Sequence, residues 1–181
     1  MKQNKTVSVF GGSTPRPGDS AYKEAEELGR LLAEAGYSVM TGGYGGTMEA
    51  VSKGAKEAGG HVIGVTVEMF EEGGLRAANQ YVDEVIRYET LSDRLMHLVT
   101  QCDAAVALRG GIGTLSEVAL TWSLLQVREI ETMPFVLVGD EWQDVLMLFY
   151  GTGRYIQESH MQLWACARTP EDVMSLLKDW S

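Results

Sequence analysis

Ala104-Ala105-Val106-Ala107-Leu108-Arg109-Gly110-Gly111-Ile112-Gly113-Thr114-Leu115-Ser116-Glu117 passes from one kind of structure to another. Its first five residues are apolar without alternation, the signature of a strand covered on both faces. The glycines then permit a sharp turn, and Thr114 to Val127 reads as an apolar helix. A covered strand leading through a tight turn into a helix is one unit of a parallel sheet.

The same unit recurs on both sides. Thr6-Val7-Ser8-Val9-Phe10 reads as a first strand ending at Gly11-Gly12. A helix from Ser20 to Ala35 follows, with Asp19 or Ser20 as its cap and Leu28, Leu31, Leu32 and Ala35 on one face. Tyr37 to Met40 is a second strand, and Met48 to Ala58 a helix stopped by Gly59-Gly60. His61 to Val67 is a third strand, and Glu68 to Gln80, which lacks a period, reads as a loop able to act as a mobile flap. A strand over Tyr81 to Tyr88 and a helix over Leu91 to Cys102 lead back to the opening stretch. Beyond it come a strand over Pro134 to Gly139, a helix over Trp142 to Phe149, and a short strand over Gln162 to Ala167. The last helix spans Pro170 to Trp180, with Thr169 at its cap and Pro170 in its first turn. Alternating β and α predicts an α/β, Rossmann-like, doubly wound parallel sheet with right-handed crossovers. No linker or repeat divides residues 1–181, so a single domain is expected.

Composition narrows the chemistry. A formal charge of −10, without a cluster of Lys and Arg, argues against nucleic acid as partner. No apolar run is long enough to span a bilayer, and no cleavage pattern follows Met1-Lys2-Gln3-Asn4-Lys5, so no membrane partner and a cytoplasmic location are expected. Cys102 and Cys166 stand apart in apolar surroundings and read as buried, reduced thiols. With His61, His97 and His160 equally isolated, no metal and no cofactor is expected.

Three loops carry glycine where strands end: Gly11-Gly12-Ser13-Thr14, Gly42-Gly43-Tyr44-Gly45-Gly46-Thr47 and Gly110-Gly111-Ile112-Gly113-Thr114. Glycine accepts positive φ and lets a phosphate approach without meeting a Cβ, while a helix N-terminus offers free N–H groups. A single such loop is explained as well by a tight turn, but three at one sheet edge point to an anionic ligand. The expected ligand-binding residues are Gly12, Ser13, Gly43, Gly45, Gly46, Arg109, Gly110, Gly111, Gly113 and Thr114. None of these loops has the Gly-Lys-Ser/Thr of a Walker loop or the G-x-G-x-x-G of dinucleotide-binding folds.

Arg109 to Glu117 resembles the P-G-G-x-G-T-x-x-E motif of the LOG (Lonely Guy) family. The resemblance extends to Val9-Phe10-Gly11-Gly12-Ser13, to Gly42 to Ala50 and to Ala58 to Val65. It implies a phosphoribohydrolase that splits a nucleoside 5′-monophosphate, a cytokinin ribotide or one like AMP, into free base and ribose 5-phosphate. It also implies a homodimer that uses no pyridoxal phosphate, with Glu117 and Arg94 as catalytic pair and Gly110 to Thr114 on the phosphate. The residue types suit that chemistry. Breaking an N-glycosidic bond builds positive charge on the ribose, which a carboxylate stabilises. An arginine can orient that carboxylate or bind an anion. Taken singly, a glutamate early in a helix also complements the dipole, and an arginine on an amphipathic helix is commonly solvated.

Two positions depart from the motif: Arg109 replaces the family's proline, and Leu95 stands where plant-type members have lysine. They keep open a second reading, a non-catalytic binding or carrier protein for a phosphorylated ligand, of which the molybdenum-cofactor carriers are an example.

Overall fold

In this computed structural model residues 4–71, 77–151 and 155–178 are described. The strands are β1 (Thr6–Phe10), β2 (Ser38–Thr41), β3 (Val62–Val67), β4 (Glu84–Tyr88), β5 (Ala104–Ala107), β6 (Phe135–Val138) and β7 (Ala165–Ala167). Among them run α1 (Ser20–Glu34), α2 (Thr47–Glu57), α3 (Glu68–Glu71), α4 (Leu91–Thr100), α5 (Ile112–Val127), α6 (Asp140–Tyr150), α7 (Glu158–Met161) and α8 (Pro170–Lys178). The strands form one parallel sheet in the order β4-β3-β2-β1-β5-β6-β7.

Alternation along each strand sends side chains to two separate cores. Val7, Val9, Val39, Val106 and Val136 meet Leu28 and Leu32 of α1, Val51 of α2, and Val173 of α8. On the opposite face Phe10, Met40, Val65, Phe135 and Leu137 meet Leu98 of α4, Val118 and Trp122 of α5, and Trp142 of α6. Helices on both faces make the fold a single doubly wound, Rossmann-like α/β unit, and Ala104 to Ala107 are buried as a covered strand requires.

The strand order fixes where a ligand can enter. From β1 the chain builds outward to β4 on one side, then returns and builds from β5 to β7 on the other. The reversal lies between β1 and β5, which pair from Val7↔Ala104 to Phe10↔Ala107. A crevice outside the carboxyl ends of these two strands is where doubly wound sheets bind ligands.

Several expected bounds shift for local reasons. β4 begins at Glu84 because Asn79 makes a turn before it, its Oδ1 accepting from Tyr81 N–H at 3.1 Å and its C=O from Val82 N–H at 3.3 Å. Asp19 holds the N-cap position of α1 as expected, but its carboxylate makes no cap bond; it accepts from Arg16 N–H at 2.8 Å and closes the preceding turn instead. β7 is limited to Ala165–Ala167 because a helical turn, α7, precedes it and Trp164 packs edge-on against Trp122 at 6.0 Å. Part of the expected flap is helical, as α3, while residues 72–76 of the flap and 179–181 of the last helix lie outside the described residues. Cys102 and Cys166 are free thiols, half-buried rather than fully buried, and burial pushes the Cys102 thiol up to about 12. Among the described residues no helix is long and apolar enough to cross a membrane.

Candidate functional site

The three glycine loops interlock at the switch point. Gly12 N–H donates to Arg109 C=O at 3.2 Å, joining the loops after β1 and β5. Gly12 C=O accepts from Thr47 N–H at 2.9 Å and from Thr47 Oγ1 at 3.1 Å, joining the loop after β2. These contacts need bare backbones. A Cβ on Gly11 would overlap Thr47 Oγ1, one on Gly110 would overlap Thr114 Oγ1, and one on Gly12 would stand 3.2 Å from Gly110 Cα.

The expected ligand glycines divide into two groups. Gly43 and Gly46 are buried and hold positive φ, +77° and +75°, which L side chains rarely adopt. Their absent side chains let the chain pack on itself, against Thr66 and Gly64 for Gly43 and against Gly12 and Ser13 for Gly46. Gly111 and Gly113 are exposed, with nothing within 4 Å of a Cβ placed on either, and Gly45 is half-exposed. The open backbone is therefore at the start of α5, beside the half-buried Ser13. Thr114 is buried under Gly110. Arg109 extends sideways to the first turn of α6, where its Nε donates to Glu141 Oε2 at 3.0 Å, both side chains being largely exposed.

Arg94 and Glu117 are 7% and 8% exposed, which removes the solvated-surface reading for both. α4 starts at a cap in which Thr90 Oγ1 accepts from Asp93 N–H at 3.1 Å, and Arg94 follows in the first turn. The Arg94 guanidinium donates through Nε to Val65 C=O at 2.8 Å and through Nη2 to Gly42 C=O at 3.2 Å. Gly42 must lack a side chain because a Cβ there would overlap this Nη2. Glu117 lies five residues into α5, about 7 Å along the axis from its start. Burial outweighs the opposing Arg94 charge and leaves its carboxyl pushed up to about 7. A carboxyl poised near neutrality exchanges its proton readily at physiological pH, which suits acid-base work.

The sequence reading did not single out Tyr44, Thr47, Asn79 or Glu141. Asn79 ties the flap to the second glycine loop, donating through Nδ2 to Gly43 C=O and Tyr44 C=O, each at 3.1 Å. Tyr44 was legible as the one bulky residue in a run of glycines. Among the described residues no group of three His, Cys, Asp or Glu side chains is placed to hold a metal ion. A groove of about 630 Å³ opens elsewhere, near the amino ends of the strands beside Lys5, Ala104 and Pro134, away from the glycine loops.

A doubly wound parallel sheet with glycine loops interlocked at its switch point, and a buried Arg and Glu behind them, defines a Rossmann-like fold with a candidate ligand site at the carboxyl edge. The model of the SLOG cluster4 family matches residues 4–131, and the chain belongs to the LOG family. An uncharacterized protein of Archaeoglobus fulgidus is 34% identical over 102 residues, 56% of this chain and 64% of that one. The cytokinin riboside 5′-monophosphate phosphoribohydrolase LOG2 of Arabidopsis thaliana is 30% identical over 97% of this chain and 84% of its own. Among solved structures, the molybdenum cofactor binding protein of Rippkaea orientalis superimposes with a TM-score of 0.77 at 27% identity, covering 99% of this chain and 98% of that one. A Moco carrier protein of Chlamydomonas reinhardtii gives 0.72 at 25% identity, with 98% of each chain covered.

Proposed function

We propose that this protein hydrolyses the N-glycosidic bond of a nucleoside 5′-monophosphate, releasing the free base and ribose 5-phosphate. The observation that carries the reading is Glu117: buried, held near neutrality, coupled to Arg94, and about one turn beyond the open backbone of Gly111 and Gly113. The phosphate rests on the N–H groups at the start of α5, where the helix dipole favours an anion. Ser13 and Gly45, both half-exposed, lie on the two loops that Gly12 joins to this one. The ribose then extends along α5 toward Glu117. As the bond from C1′ to the base nitrogen breaks, its electron pair leaves with the base and positive charge grows on the ribose ring. The ionised Glu117 stabilises that charge and orients the water, whose oxygen bonds to C1′ and whose proton passes to the carboxylate and from there to the departing base nitrogen. The Arg94 charge favours the ionised carboxylate against the burial that opposes it.

The names of the LOG relatives support this reading, and so does the match of 97% of this chain to 84% of LOG2. The exposed face of α5 supports the homodimer. Ile112, Leu115 and Val127 are exposed there, and Glu117, the helix's one charged residue, is buried. Incubation with a panel of nucleoside 5′-monophosphates, a cytokinin ribotide among them, tests the activity. Base and ribose 5-phosphate are released by the wild type and not by Glu117→Gln. No release from any of them, by folded protein, removes the hydrolase.

One feature favours the carrier reading. Arg109 stands where the motif has proline, and it puts a cation at the mouth of the loop, next to Glu141 rather than over the phosphate site. The likeness to molybdenum cofactor binding and carrier proteins points the same way. Mass spectrometry of freshly purified protein separates the two: a retained pterin means a carrier, and a simple nucleotide or none is the expected result.

A further inference from the structure

Tyr44 is the exception in the second glycine loop. A tight turn has no need of a large side chain, yet this one is present and is 2% exposed. A ligand cannot touch a ring so enclosed, so whatever Tyr44 contributes is passed on through its neighbours. Among the described residues, three contacts mark those neighbours. The hydroxyl accepts from Val67 N–H at 2.9 Å and donates to Val67 C=O at 3.2 Å. The ring meets Phe70 of α3 edge-on, with centroids 5.8 Å apart and planes at 65°. Its face lies 5.7 Å from Arg94 Cζ, within the range of a cation–π contact.

These contacts form a cage around the guanidinium. Arg94 donates to Gly42 C=O, two residues before Tyr44, and to Val65 C=O, two residues before Val67. The hydroxyl of Tyr44 ties together the two segments that supply those carbonyls.

We propose that Tyr44 is a positioning residue, whose ring face fixes the Arg94 guanidinium at the place from which it acts on Glu117. The role rests on the reading of Arg94 and Glu117 as a working pair. It does not depend on hydrolysis being the reaction they perform.

The test is the titration of Glu117 itself, followed by carboxyl-carbon NMR on the full chain labelled in glutamate, with Glu117→Gln assigning the resonance. Among the described residues Arg94 is the one charged group that bears on Glu117, and it holds the carboxyl below where burial alone would put it. Tyr44→Phe keeps the ring face and leaves the titration within about a quarter of a unit of wild type. Tyr44→Leu removes the face, frees Arg94, and moves the titration up by about half a unit or more. A polyfluorinated phenylalanine at position 44 keeps the shape and weakens the negative face. It gives an upward shift of the same sign even if Tyr44→Leu fails to fold. Equal titration in Tyr44→Phe and the fluorinated protein overturns the proposal. Base release measured in parallel separates the two claims. A shifted titration in a protein that hydrolyses nothing removes the hydrolase and leaves the positioning role, and an unshifted one in an active enzyme does the reverse.

Discussion

Arg94 and Glu117 reach the switch point from helices that follow β4 and β5, and the charge of the first opposes the burial of the second. Burial wins, leaving Glu117 near 7 rather than at its ordinary 4.5. A carboxylate that must be ionised to act is then switched off within the physiological range. Base release by the wild type rises roughly tenfold per pH unit below about 7 and levels off above it. Glu117→Gln shows no such rise. A pH profile of kcat/KM on a nucleoside 5′-monophosphate checks this, and a wild-type rate that is level from pH 5 to pH 8, on the order of three pH units, removes Glu117 as the ionising group.

The same displacement affects stability. A folded-state value raised from 4.5 to about 7 means that the native protein keeps a proton the unfolded chain has released. Below 4.5 both states are protonated and nothing is lost; as pH rises toward 7 the native state is progressively disfavoured. The full effect is at most roughly 3 kcal/mol, at about 1.4 kcal/mol per unit. Glu117→Gln is therefore more stable than wild type by about 1–3 kcal/mol at pH 8, and equal to it at pH 4. Urea unfolding at the two pH values measures the difference. An equal offset at both would mean that the side chain's charge is not what strains the site.

The fold was legible because its signals are local and repeated. Covered strands such as Ala104 to Leu108, and glycines at strand ends, mark a parallel sheet wherever they occur in series. The candidate site was legible at Arg94 and Glu117 through a motif rather than through chemistry, since an arginine four residues into a helix gives no sign that it will be buried. What escaped depends on contacts between distant segments. Nothing in Asn79 announces that it will bind Gly43 and Tyr44, and nothing in Glu141 that it will meet Arg109 across 32 residues. The glycines were recognised as a set, but their division into packing and open positions is a property of the folded loops.

That division is itself testable. Gly42→Ala places a methyl group against the Arg94 guanidinium and Met48 Sδ, and Gly110→Ala places one against Thr114. Both are expected to destabilise the protein by about 1–3 kcal/mol, the range for forcing atoms into occupied space. Gly111→Ala meets nothing within 4 Å and should change stability by less than about 1 kcal/mol. If the open backbone is where phosphate rests, this third variant nonetheless weakens binding of ribose 5-phosphate severalfold, as read by calorimetry. Unchanged affinity would move the phosphate away from Gly111.

The described side chains that are both large, apolar and exposed all fall between Met69 and Tyr155, and none belongs to α1, α2 or α8. The asymmetry is sharpest on α5, a helix of 16 residues whose one charged side chain, Glu117, is buried. Its outer face runs through Ile112, Leu115, Ala119, Ser123 and Val127, a spacing that keeps these residues on one side. In a chain with a net charge of −10, an uncharged face on a long helix is the natural place for a second copy to pack. Wild-type protein is expected to sediment as a dimer. Ala119→Glu and Val127→Glu, each bringing two carboxylates together across a twofold contact, should shift it to monomer without loss of helical signal. A wild-type monomer at micromolar concentration, or a dimer unmoved by both substitutions, rules this face out as the interface.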